Sequence, residues 1–261
     1  MRSLMIGATG MLAQQTNVEV ISNNIANMTT TGYKQQRAEF QDLLYQNIRR
    51  PGSQSSDAGT IVPTGIQLGV GVKTASVYRM HSQGSIVITG NDLDLAVNGD
   101  GFFQIEMPDG TTNYTRAGSF QLNADGEMVT ADGYRLLPGL TIPQGTEDIT
   151  VDETGQVQAK VAGQTDPQTV GQIQLALFPN DAGLESLGNN LYRETPASGA
   201  PVIGNPGTDG NGTLQQGSLE QSNVNVVAEI TNLITAQRAY EMNSRVIRTS
   251  DEMMSSLSQL R

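Results

Sequence analysis

Apolar residues recur every seven positions at both ends of the chain and alternate with polar residues in between. Near the start, Leu4, Met11, Val18 and Ile25 form one stripe, with Ala8, Leu12 and Ile21 beside it. This spacing predicts an amphipathic helix with a coiled-coil-like seam. Gly7, Gln14, Gln15 and Ser22 fall at companion positions, so an isolated two-helix pair would pack poorly and several partners would have to share the burial. The helix is expected to fade between Asn27 and Gly32, where Thr29-Thr30-Thr31-Gly32 combines poor helix formers with a residue suited to a C-terminal cap.

The C-terminal end repeats the pattern more strongly. Val226, Leu233, Tyr240, Ile247 and Met254 are spaced by seven, flanked by Ile230, Ile234, Met253, Leu257 and Leu260. Asn225 suits an N-cap, Glu229 places negative charge in the first turn and Arg261 places positive charge in the last. A helix of roughly 35 residues is about 50 Å long, a length typical of bundles and coiled coils.

Between the helices the period changes to two. Turn dipeptides at Asp109-Gly110, Asp125-Gly126 and Asp132-Gly133 separate short alternating runs. Strands are expected over 102–107, 113–116, 119–122, 127–130, 134–137, 149–151, 156–161 and 170–178, forming a mostly antiparallel β domain. Two Gly-, Pro- and Ser-rich stretches, 50–57 and 196–217, read as connectors. The fold class is therefore α+β. Residues 1–30 and 217–261 are expected as paired terminal helices, 31–75 as an extended connector and 76–216 as the β domain.

Composition narrows the chemistry. The chain has no Cys and a single histidine, which excludes thiolate and His-pair metal sites as well as a Cys nucleophile. His81 lies in no nucleophile-elbow context and is read as a loop or strand-edge histidine. Asn123–Glu127 and Asp209–Gly212 hold fragments of calcium loops without the full ligand set and are read as hairpin turns. Gly69-Val70-Gly71 and Asn98–Gly101 lack the third glycine of a dinucleotide fold and the lysine of a phosphate loop. Asp92 and Asp94 would share a strand face, as either a carboxylate pair or a solvated edge would. No catalytic residue, cofactor site or metal site is expected.

The net charge of −11 is concentrated in the middle of the chain. Residues 1–50 carry five Lys/Arg against three Asp/Glu, 51–220 six against nineteen, and 221–261 four against four. Such a middle offers no basic face for nucleic acid, while near-neutral ends suit packing against copies of themselves. No apolar run of membrane-spanning length exists, and the segment after Arg2 reads as the start of a helix rather than a cleaved signal.

Three stretches resemble the signatures of the bacterial flagellar axial proteins, the rod and hook group. They are Ser22–Asn27 with Thr31-Gly32-Tyr33-Lys34, then Thr89–Val97 running into Gly101–Gln104, and finally Ser222–Val227 with Gln237–Glu241 and Asn243-Ser244. Chain length and the segment Tyr45–Ser56, including Arg49-Arg50-Pro51-Gly52, resemble the distal-rod subunits. Proximal-rod and hook proteins are the alternatives. The resemblance implies a non-enzymatic subunit of a helical homopolymer, with paired terminal helices forming an inner tube and a β domain outside it. It further implies torque transmission, a conduit for exported subunits, and export without a cleaved signal. Implied partners are other copies, proximal rod proteins, the hook, the P- and L-ring proteins and the flagellar export apparatus. The assembly residues would be Leu4, Met11, Val18, Asn23, Asn24, Ile25 and Asn27 on the first helix. On the second they would be Val226, Ile230, Leu233, Gln237, Arg238, Tyr240, Ile247 and Met254. Segment 45–62 would add contacts that stiffen the rod. The side chains of Asn23, Asn24 and Asn27 are expected to bond either across to backbone or to Gln237 and Arg238 of another helix, or else to cap their own helix.

Overall fold

The structure, a computed structural model, describes residues 2–52, 64–163 and 166–259. It divides into two compact units. The first comprises Met1–Ile25, Gln36–Tyr78 and Val226–Arg261, and the second Ala26–Gln35 and Arg79–Asn225.

In the first unit, helix α1 spans Arg2–Ala26 and helix α2 spans Val226–Gln259. Helix α1 stops where the run of threonines begins, and Asn225 directly precedes α2. Leu260 and Arg261 lie outside the described residues. Among the described residues the stretch read as a connector carries four strands. Gln36–Asp42 pairs with Val72–Arg79, and Gln46–Arg49 pairs antiparallel with Ile66–Leu68. Among the described residues no helix is long and apolar enough to cross a membrane.

The second unit is built on a nine-stranded sheet. Its central strand, Phe102–Glu106, pairs antiparallel with Thr112–Thr115, Arg135–Leu136 and Leu175–Leu177. The expected turns at Asp109-Gly110, Asp125-Gly126 and Asp132-Gly133 join neighbouring strands of this sheet. Both faces of the central strand are covered, so Phe102, Phe103, Gln104 and Ile105 are all buried. Phe103 and Ile105 enter a core with Leu95, Phe120, Met128, Leu136 and Leu175, while Phe102 joins Tyr114, Phe178 and Tyr192 on the other side. Edge-to-face contacts order both layers, with ring centroids 5.2 Å apart for Phe103–Phe120 and 4.8 Å for Tyr114–Phe178.

One strand expectation is corrected. The run 170–178 is two strands, because Gln168–Gln172 closes a three-stranded sheet with Gln156–Val161 and Thr146–Val151, whereas Leu175–Leu177 belongs to the nine-stranded sheet. The chain changes sheets at Ile173, whose side chain is fully buried and whose amide donates to the Gly155 carbonyl at 2.8 Å. The Gly- and Pro-rich stretch 196–217 likewise contributes strands, Val202–Gly204 and Thr213–Gln216.

Candidate assembly interface

Helices α1 and α2 meet along a line of small and polar residues. A Cβ added at Gly7 would lie 2.9 Å from Cγ1 of Ile247, and one at Gly10 would lie 2.9 Å from Nδ2 of Asn243. At the other end of α1, Asn24 Nδ2 donates to Glu229 Oε2 at 3.0 Å. The pairs 7–247, 10–243 and 24–229 run in opposite directions, so the helices are antiparallel. Buried positions on α1 are Gly7, Ala13, Val20, Ile21 and Asn24. On α2 they are Glu229, Ala236 and Ser250, with Asn243 half-buried at the same spacing of seven. A helix-interior glycine costs roughly 0.5–1 kcal/mol relative to alanine. Gly7 and Gly10 are placed where the absent Cβ lets the partner helix approach.

The expected interface residues divide between this seam and the surface. Leu4, Met11, Val18 and Ile25 are half-buried, as are Val226, Leu233 and Ile247 on α2, with Ile247 facing Gly7 across the seam. Ile230, Gln237, Arg238, Tyr240 and Met254 are exposed. Large apolar side chains stand open on both helices, with Leu12 64% exposed, Met242 64% and Val227 76%. Gly7 and Gly10 set the closest approach of the helices, while Leu12, Met242 and Val227 remain as exposed apolar surface. A seven-residue period locates two adjacent stripes without stating which faces the partner. The glycines at positions 7 and 10, three residues apart in a helical pattern, were the available signal for the closer one.

Asn24 is cross-bonded. Its Nδ2 donates to the Gln36 carbonyl at 2.8 Å as well as to Glu229, and its Oδ1 accepts from the Gln36 amide at 2.8 Å. Helix α1 is thereby tied to both the following strand and α2 within one chain. Asn27 accepts from Thr30 Oγ1 at 3.2 Å in the turn after the helix, and Asn23 is exposed. Tyr45, Arg49, Arg50, Pro51 and Gly52 are all exposed. In the same region Leu44 is 89% exposed, and Ile48, Ile66 and Leu68 leave the Gln46–Arg49 ribbon with uncovered apolar side chains. Residues 53–62 of the expected rod-specific segment lie outside the described residues.

The motifs weighed for chemistry resolve into structural roles. Asp94 accepts from Thr89 Oγ1 at 2.6 Å and Asn91 Nδ2 at 3.0 Å, pinning its own loop. Asn123 Oδ1 accepts from the amides of Asp125 and Glu127, closing a hairpin turn. Asp209 has a left-handed backbone, and the Asn211 amide closes its turn on the Thr208 carbonyl. His81 lies in a loop of the second unit, edge-on to Phe102 and Tyr192 at centroid distances of 5.6 and 5.5 Å. Burial, followed by the positive charges of Lys34, Arg79 and Arg116, lowers its pKa to about 4. Burial pushes the neighbouring Tyr192 hydroxyl up to about 12. The histidine is therefore a neutral packing group at neutral pH.

Three family models match successive parts of the chain. "Flagella basal body rod protein" covers residues 4–34, "Flagellar hook protein FlgE/F/G D1 domain" covers 96–159 and "Flagellar basal body rod FlgEFG protein C-terminal" covers 215–260. Similar proteins include the flagellar basal-body rod protein FlgG of Caulobacter vibrioides, 60% identical over the whole of both chains. The protein of the same name from Agrobacterium fabrum is 55% identical, covering 99% of this chain and 98% of its own. That of Bacillus subtilis is 40% identical, covering 100% and 99%. Full-length identity at this level, joined to terminal helices that pair through small residues and leave apolar faces open, places the chain in the FlgG family of flagellar basal-body rod proteins, structural proteins rather than enzymes.

Proposed function

We propose that this protein is the subunit of the distal rod, and that it polymerises through the exposed apolar faces of α1 and α2 into a stiff helical tube. Heterologous contacts between identical subunits that do not close into a ring build such a tube. The tube carries motor torque through the periplasm to the hook and conducts exported subunits through its lumen. Its neighbours are proximal rod proteins at one end, the hook at the other and the P- and L-ring proteins around it. The subunit reaches its place through the flagellar export apparatus without a cleaved signal. Segment 45–62 adds contacts that keep the rod straight.

The observation that carries this reading is the pairing of a small-residue seam with uncovered Leu12, Val227 and Met242. An apolar side chain of this size contributes about 1.5–3 kcal/mol when fully buried. Every 1.4 kcal/mol is about tenfold in an association constant. Leu12→Asp and Met242→Asp are each expected to raise the critical concentration for polymerisation at least about tenfold while leaving the unfolding of the β domain unchanged. Polymerisation at the original critical concentration would refute the assignment of these faces.

A further inference from the structure

The second unit contains a buried charge cluster assembled from residues far apart in sequence. Lys34 Nζ donates to Glu220 Oε1 at 2.7 Å, and Arg116 Nε donates to Glu220 Oε2 at 2.9 Å. Lys34 and Glu220 are each 1% exposed, and Arg116 is buried too. Further hydrogen bonds hold the same three side chains. Lys34 Nζ reaches the Ser82 carbonyl at 2.9 Å, the Gly84 amide donates to Glu220 Oε1 at 2.8 Å, and Arg116 donates to the carbonyls of Gly99 and Gly101.

Further contacts join the segments around residues 34, 82 and 220. The Gly32 amide donates to the Glu220 carbonyl at 2.8 Å, and the Met80 amide to that of Gln35 at 2.9 Å. Asn223 accepts from the Gln35 amide at 2.7 Å and donates to the carbonyls of Met80 and Ser82 at 2.9 and 3.0 Å. Gly32 has φ +68°, and a Cβ there would lie 2.7 Å from the Ala117 amide nitrogen, so no other residue fits without displacing that strand end.

We propose that Lys34, Arg116 and Glu220 form a completion latch, which closes the second unit only when the segments around residues 34 and 220 are both in place. Among the described residues Glu220 is the carboxylate ion-paired directly with both cations, with Asp181 adding a more distant negative charge, and it is separated from Lys34 by 186 positions and from Arg116 by 104. Until it arrives, Lys34 and Arg116 are like charges in a site that excludes water. Closure without Glu220 strands both charges, a far larger penalty than a missing neutral contact. Helix α2 begins six residues beyond Glu220, so closure coincides with delivery of all but the last helix of the chain. The Thr31–Lys34 and Ser222–Asn223 parts of the terminal signatures are thus engaged inside the folded unit, unlike the apolar faces of α1 and α2.

Amide hydrogen exchange on the full-length Glu220→Gln variant tests this. Exchange at 32–35, 80–84 and 116–117 is expected to rise together by about a hundredfold, the scale set by breaking a buried ion pair, while amides of Phe103–Ile105 keep their protection. A change confined to residues beside 220, or unequal responses of the three segments, overturns the latch. Should Glu220→Gln fail to fold, Glu220→Asp decides the matter by the same readout, because it keeps the charge and shortens the reach. If that milder variant loosens 103–105 in step with the other segments, the three charges are ordinary core and the proposal fails.

Discussion

Acid should destabilise the second unit through His81. The ring is neutral in the folded chain down to about pH 4, held there by burial and by the facing charges of Lys34, Arg79 and Arg116. In the unfolded chain it protonates near 6.5. Between these values the unfolded state binds the extra proton, so stability is complete above pH 6.5, falls as the pH falls through the window, and loses nothing further from this group below about 4. The shift corresponds to about 3 kcal/mol, taking about 1.4 kcal/mol per pKa unit. Carboxylates titrate in the same range, so the effect is isolated by comparison with His81→Phe and His81→Gln, neither of which titrates there. Phenylalanine retains an aromatic edge towards Phe102 and Tyr192. Urea unfolding can be followed by tyrosine near-ultraviolet dichroism, since the chain has no tryptophan. The stability difference between wild type and each variant is expected to change by about 3 kcal/mol between pH 7 and pH 4, in favour of the variant at the acid end. Parallel pH profiles for wild type and both variants would refute the reasoning.

The helix seam and the core each give a further test. Gly10→Ala should be tolerated, because the amide of Asn243 can turn aside and alanine favours the helix, whereas Gly10→Leu should cost about 1–3 kcal/mol of overpacking and raise the critical concentration for polymerisation. Sedimentation of polymer from graded monomer concentrations measures both. Phe103→Ala empties a fully buried position packed edge-on to Phe120 and should lower the urea-derived stability by about 3–5 kcal/mol; a loss below about 1 kcal/mol would mean the site collapses around the gap.

Period and turn chemistry made most of the fold legible. The strand Gln156–Val161 has the expected bounds, and the threonine run after Asn27 marks the end of α1 to within a turn. Such signals are local: alternation over six residues and a block of poor helix formers need no knowledge of distant partners. The break at Ile173 was invisible because Ile173, Leu175 and Leu177 alternate with polar or small residues as one strand would, and only the sheet to which each part belongs separates them. The seven-residue period marks apolar stripes on α1 and α2 but does not state which positions the two helices of one chain bring closest. Gly7 and Gly10 stand where α1 approaches Ile247 and Asn243 of α2. The cluster of Lys34, Arg116 and Glu220 left no periodic trace, since buried charges pair by geometry across more than a hundred positions.

Hydrogen exchange on α1 and α2, in dissolved monomer and then in assembled polymer, tests most directly whether the terminal helices are the assembly elements. With a seam of glycine, alanine and asparagine and with Leu12, Val227 and Met242 uncovered, amides within 2–26 and 226–259 are expected to exchange rapidly in the monomer and to become protected in the polymer. Equal protection of these amides in both states would show that the two helices are already a finished globular core, contradicting the account.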